Sequence, residues 1–368
     1  MKSTQGVYIG NLDHLRGLAA LLVFVWHYLP EPFKSPYVPR IWTLSIFVEG
    51  HTGVALFMVL SGYLFAFLTN EKVLLKKQFY FNRFIRLFPL LFVWTIFNLN
   101  TQSRDIAKVA TSLFSLINFT ELGGGAWTIA VEAQYYLILP VLLLAREKYG
   151  IRYLAGFLAF SIFTKAAVWW STGSVHDLAY WTIFGRIDQF LLGMVGFYTW
   201  RKIGLDRKPA IAVLLASLIA LSYVYHTFNQ AGGFYKMSHM PSRSALWIFL
   251  PAIEGLLYTG IILGYQQVRL PLILDKVLSK VGECSYSIYL SHYFLLAFVA
   301  KLCGRIGMYD LTSFRTTFLG CVLIAFPLVV LFSRASYVLL ERPFLDMRRE
   351  YLLKKPSGQS ASVRALAA

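Results

Sequence analysis

Leu12-Asp-His-Leu-Arg-Gly-Leu-Ala-Ala-Leu-Leu-Val-Phe-Val-Trp-His27 reads as a membrane-crossing helix that carries polar groups such a helix ordinarily excludes. The apolar run approaches the roughly 20 residues that a crossing requires. Asp13, His14 and Arg16 within it argue against a cleavable signal segment, so it is expected as a retained first span. Arg16 and His27 are separated by about 1100° of helical rotation, close to whole turns, and by about 16 Å along the axis. They share one face. Arg16 falls near one boundary and His27 beyond the middle. A neutral imidazole at that depth can accept a proton from a hydroxyl near neutral pH. It can equally be satisfied by a neighbouring carbonyl, and spacing does not separate the two.

Working outward, the composition agrees with the first helix. Of 368 residues, 57% are apolar and 14% charged, and mean hydropathy is +0.57. Soluble domains carry about 25% charged residues. The composition excludes a soluble globular enzyme, a disordered chain and a disulfide scaffold. Cys284, Cys303 and Cys321 lie in apolar stretches with no disulfide framework and no metal-ligand spacing, and are expected as small core residues. No metal site and no tightly bound cofactor is expected.

Apolar windows place ten spans, give or take one, near 11–29, 44–68, 84–100, 126–145, 151–170, 178–200, 209–227, 245–266, 284–303 and 315–340. Ile106–Phe119 is ambiguous between a span and an interfacial piece. The long, unalternated runs do not resemble the short strands of a membrane barrel. The fold class is therefore all-α, a polytopic helix bundle. With the N-terminus inside, 22 of the 35 Lys and Arg fall on the cytoplasmic side and nine on the other. That asymmetry predicts cytoplasmic termini in a cell membrane and explains most of the +17 net charge without nucleic acid. The bundle is expected over 8–345, and 346–368 as a flexible basic tail.

Charges retained at mid-bilayer cost about 2.5–3.5 kcal/mol and usually face the interior. Beyond Arg16 and His27, four constellations stand out. Arg83 and Arg86, followed by Pro89, share a helix face at the basic boundary. Guanidinium forks there suit a phosphate-bearing ligand, although charge alone favours contact with anionic lipid headgroups. Gly123-Gly-Gly-Ala-Trp127 leads to Glu132, Tyr135 and Tyr136. An acid flanked by aromatics suits a sugar-binding wall, or an interfacial aromatic belt with one structural acid. Ser285-Tyr-Ser287-Ile-Tyr289-Leu-Ser-His292 lines one span with hydroxyls, for which helix–helix glue is the simpler reading. Glu341-Arg-Pro-Phe344 closes the last span, where a helix stop suffices. Glu49, Asp188, Arg186 and Glu254 are candidates for internal pairs, and His51 and His226 for structural roles.

In this order the segments resemble the membrane acyltransferase-3 family. The likeness covers about 8–345 and rests on Arg16 with His27, Ser61-Gly-Tyr63, Arg83–Arg86 with Pro89, Trp127 to Tyr136, Ser285 to His292, and Glu341-Arg-Pro-Phe344. His14 departs from the small residue usual after the aspartate. The resemblance implies an O-acyltransferase moving an acetyl group from cytoplasmic acyl-CoA, as co-substrate, to an extracytoplasmic carbohydrate or glycolipid. His27 would then be general base or transient acyl carrier, and Arg16 its essential partner. Arg83 and Arg86 would hold the donor phosphates, and Glu341 would position or balance charge. Trp127, Glu132, Tyr135 and Tyr136 would meet the acceptor, with Ser287, Tyr289 and His292 in lesser roles. No SGNH-type hydrolase-like domain follows the bundle as in longer relatives, so transfer is expected to finish within the membrane part. The rival readings are a transporter or flippase of a polar or lipid-linked substrate, and acyl transfer to a non-sugar acceptor. The oligomeric state is not readable from the sequence.

Overall fold

The computed structural model describes residues 10–34, 37–102, 127–204, 206–234 and 244–354. Its long helices are α1 (Gly10–Tyr28), α2 (Gly53–Thr69), α3 (Lys76–Gln102), α4 (Trp127–Tyr149), α5 (Ile151–Thr172) and α6 (Ile183–Ile203). They continue as α7 (Arg207–Gln230), α8 (Leu246–Tyr265), α9 (Leu272–Glu283), α10 (Ser285–Arg305) and α11 (Phe314–Asp346). Among the described residues, eight helices are long and apolar enough to cross a membrane. The remaining two predicted spans are helices as well, α1 and α6. They fall outside the eight because each carries charges that the packed interior buries, such as Asp13 in α1 and Arg186 with Asp188 in α6. Apolar side chains coat the outside, Trp170 at 85% and Phe163 at 68% exposure among them. In water such a coat would be costly; in lipid it is solvated. This is a multi-pass membrane protein. Ile106–Phe119 and the glycines before Trp127 lie outside the described residues.

Two predicted spans are broken, each for a visible reason. The 44–68 segment enters through short turns, and Glu49 departs from helical geometry (φ −100°, ψ 39°) before α2 begins. The 178–200 segment divides at Thr182, which is extended and whose hydroxyl accepts from the Gly185 N–H at 3.3 Å. The last span holds two five-residue π-helical turns, Cys321–Ala325 and Tyr337–Glu341. Such turns widen the helix where a side chain must be re-aimed, and the second ends on Glu341.

Helix α2 crosses α6 with backbones nearly touching. A Cβ on Gly62 would lie 2.0 Å from the Phe190 carbonyl oxygen, and one on Gly193 would lie 2.2 Å from that of Val59. Small residues are what permit so close an approach where no water drives helices together. The predicted internal pairs are present: Arg186–Glu254 at 3.4 Å, Lys165 on Asp188, and Glu49 with His51 at 3.3 Å. The three cysteines are free and buried. At the C-terminal end of the described residues, β2 (Leu352–Lys354) pairs antiparallel with β1 (Lys72–Leu74), and Tyr351 and Leu352 are buried.

Candidate active site

Helices α1, α2, α3, α4, α6 and α10 line a cavity of about 770 Å³, mouth included. Its polar lining is Arg16, Ser61, Arg83, Arg86, Thr128, Glu132, Tyr136, Ser285, Tyr286 and Tyr289, among apolar residues such as Phe57 and Met58. Arg83 and Arg86 reach it because an i, i+3 pair lies on one face of α3. Arg83 sits within 5.2–5.8 Å of four ring centroids, those of Phe65, Phe79, Tyr136 and Tyr351. Its buried Nε has no hydrogen-bond partner among the described residues. Arg86 reaches the Glu341 carboxylate at 3.7 Å and lies 5.8 Å from the Tyr286 ring. The Ser287 hydroxyl donates to the other Glu341 oxygen at 2.7 Å. Glu341 thus ties α11 to α3 and α10, a bridging position that a simple helix stop would not require. Arg16 is joined to Asp13 at 3.2 Å on its own helix.

The predicted acceptor-side set divides. Glu132 accepts hydrogen bonds from the Tyr136 hydroxyl and from Ser61 Oγ at 3.3 Å, inside the arginine-lined cavity. Tyr135 is fully buried and stacks on Phe190 at 4.0 Å, so it packs the core and is not part of this cavity's lining. Adjacent residues on a helix point about 100° apart, and here Tyr136 faces the cavity while Tyr135 faces Phe190. Trp127 joins a separate aromatic group with Tyr180 at 5.1 Å and Trp181 at 4.8 Å. His51 and His176 pack around Tyr180 in the same region, and His226 meets Ser45 at 3.3 Å, in keeping with structural roles.

His27 lies outside the cavity lining and is joined to it through His292 and Tyr289. Tyr289 lines the cavity, and its hydroxyl accepts from Thr128 Oγ1 at 2.6 Å. Its carbonyl, with that of Ile288, faces His292 Nδ1 at 2.6 and 3.2 Å. Carbonyls only accept, so His292 carries its hydrogen on Nδ1 and presents Nε2 as an acceptor. His27 Nδ1 lies 3.2 Å from that atom and 2.8 Å from the Val23 carbonyl, and therefore donates. The lone pair of neutral His27 is then on Nε2, and there the Tyr293 hydroxyl donates at 2.5 Å. The His292 ring and the Val23 carbonyl together fix one tautomer of His27. An acceptor hydroxyl in the place of the Tyr293 phenol would meet a nitrogen able to take its proton. Sequence reasoning missed Tyr293. The i, i+4 step from Tyr289 to Tyr293 was a signal, hidden in a span read mainly as helix glue. Ser291 does serve as glue, meeting Ser333 at 2.9 Å.

A family model described as an acyltransferase domain matches residues 9–334. The chain is 24% identical over 399 aligned residues to "Putative O-acetyltransferase SACOL0978" of Staphylococcus aureus (strain COL), covering 95% of this chain and 59% of the relative. It is also 24% identical to the peptidoglycan O-acetyltransferase OatA of Listeria monocytogenes, covering 78% of this chain and 49% of that protein. The O-acetyltransferase OatA of S. aureus (strain NCTC 8325 / PS 47) matches at 24%, over 96% and 60% respectively. The chain thus spans at most about three fifths of the length of these relatives. No solved structure matches it.

Proposed function

The chain belongs to the acyltransferase-3 family, and from that premise we propose that it is an acyl-CoA-dependent O-acyltransferase, acetylating a hydroxyl of an extracytoplasmic or lipid-linked carbohydrate. The observation that carries this reading is the pairing of an arginine-lined cavity with a histidine held as a neutral base just behind its Tyr289 wall. Arg83 and Arg86 bind phosphates of the donor at the basic boundary. The pantetheine arm, about 20 Å when extended, carries the thioester inward. His27 Nε2 takes the proton of the acceptor hydroxyl as its oxygen attacks the thioester carbonyl. The carbon–sulfur bond breaks, the ester C–O bond is complete, and the proton leaves with the coenzyme A thiol. His292 and the Val23 carbonyl hold the imidazole for this role. Glu341 spaces Arg86 from α10 through Ser287, and Glu132 with Tyr136 shapes the wall beside Arg83. Both termini lie on the cytoplasmic side in this reading, which the charge asymmetry supports.

The test uses the full-length protein in lipid with radiolabelled acetyl-CoA and a cell-wall glycan extract. Label is expected in the glycan together with release of free thiol, and both are expected to be lost in His27→Ala. Equal transfer by the two proteins would remove His27 from the mechanism. Retention of the thioester during substrate movement would favour a transporter.

A further inference from the structure

Helix α9 (Leu272–Glu283) is twelve residues long, about 18 Å, too short for a hydrocarbon core of about 30 Å. Yet it turns apolar side chains outward: Ile273 is 80% and Val277 52% exposed, with Leu272 and Leu274 exposed beside them. At about 100° per residue, its surface divides into three sectors. The first holds Asp275, Ser279 and Gly282 and faces α1. There His14 Nε2 lies 3.0 Å from Ser279 Oγ and 3.4 Å from the Asp275 carboxylate. Gly282 is so close that a Cβ on it would overlap the Asp13 carbonyl. The second sector holds Lys276 and Lys280, both exposed and neighbours at i, i+4. The third holds Ile273, Leu274 and Val277 and adjoins the lysines. Both acids of the helix are engaged elsewhere, Asp275 with His14 and Glu283 with Arg334 at 3.0 Å. Among the described residues neither lysine side chain has an ion-pair partner.

An apolar sector edged by two cations, on a helix too short to span, is the layout of a helix lying in the plane of a membrane surface. Lipid solvates the apolar sector, and the lysine stems reach along it to the headgroups. The cationic edge complements phosphate and would meet repulsion from a second copy of this chain, whose net charge is +17. We propose that α9 lies in the membrane–water interface on the side where α1 begins, and that Lys276 and Lys280 bind the headgroup of an anionic phospholipid there. The surface adjoins the cavity: α9 is fastened at His14, close to Arg16, and leads into Ser285, and Arg16 and Ser285 both line the cavity. The proposal does not depend on the identity of the acyl donor.

The experiment places a bimane fluorophore on Ile273→Cys of the full-length protein in phosphatidylcholine nanodiscs. The native cysteines are buried, and wild type treated in the same way gives the background. Three quenchers are compared: phosphatidylglycerol and phosphatidylcholine carrying a nitroxide near the headgroup, and iodide in water. Both lipids are expected to quench and iodide is not, with phosphatidylglycerol effective at the lower mole fraction. A lysine near an anionic surface is worth about a fivefold enrichment. Lys276→Gln is therefore expected to cut the preference for phosphatidylglycerol about fivefold, and Lys280→Gln added to it to remove the remainder. Val277→Cys reads the same sector should Ile273→Cys not fold. Quenching by iodide and not by lipid puts the sector in water and overturns the proposal. Quenching by none of the three means that protein covers the sector, a second copy included, and overturns it too. Equal quenching by the two lipids, or a preference that survives both lysine substitutions, overturns the anionic headgroup site.

Discussion

The arginine-lined cavity and the His27 niche are built on opposite principles. The cavity holds formal charges, open volume and aromatic walls; the niche holds neutral imidazoles saturated by carbonyls and a phenol. Helix α10 serves both, as α1 does through Arg16 and His27. Ser285, Tyr286 and Tyr289 of α10 line the cavity, and His292 and Tyr293, one turn further, hold His27. The separation has a physical logic. A phosphate cradle beside a general base would hold that base protonated through its own anion, or leave it unable to charge through its cations. Distance along a helix, about 1.5 Å per residue, lets each keep its own electrostatics while staying in register.

The largest expected effect breaks the niche. His27→Ala should lower kcat by about a thousandfold, within the usual span for a general base, while thermal stabilisation by acetyl-CoA is unchanged. Loss of that stabilisation would merge the two regions into one site. The next effect breaks the cavity. Arg86→Ala leaves Glu341, 2% exposed at its side chain, without its ion-pair partner on α3, and stranding a buried charge costs about 3–5 kcal/mol. The variant should unfold at markedly lower temperature, and adding Glu341→Gln should recover most of the loss. Arg83→Ala, whose guanidinium rests on rings alone among the described residues, should instead keep its stability and lose donor-induced stabilisation. A matching loss of stability in both single variants would contradict the division of labour between these arginines.

How much of this was legible in the sequence follows from how local each feature is. The helices were, because a span is written in its own apolar run, and so was the shared face of Arg83 and Arg86, which both line the cavity. Glu132 was found, but nothing in its own segment records that Ser61 of α2 comes to meet it. Tyr135 and Tyr136 are chemically equal neighbours, and only packing against Phe190 decides which is core. Tyr293 was not legible, because its partner His27 is 266 residues away. Neither was the pairing of β1 with β2, strands of three residues each and too short to carry a pattern.

The smallest effect sharpens the niche. His292→Ala removes the acceptor at 3.2 Å from His27 Nδ1, but the Val23 carbonyl at 2.8 Å still holds that hydrogen. One of two restraints on the tautomer is gone, so kcat should fall by about tenfold, near the upper end of one ordinary hydrogen bond, with KM for acetyl-CoA unchanged. Tyr293→Phe acts in the other direction. The phenol occupies Nε2 at 2.5 Å, the atom an acceptor hydroxyl needs. Removing a competing hydrogen bond of about 1 kcal/mol should raise kcat up to about fivefold. The ring remains to fill the same space against His27 at 4.5 Å and His292 at 4.4 Å. Steady-state rates for the two variants decide between roles. A drop in kcat for Tyr293→Phe comparable to that for His27→Ala would make the phenol a working member of the proton path, and the niche a three-residue relay.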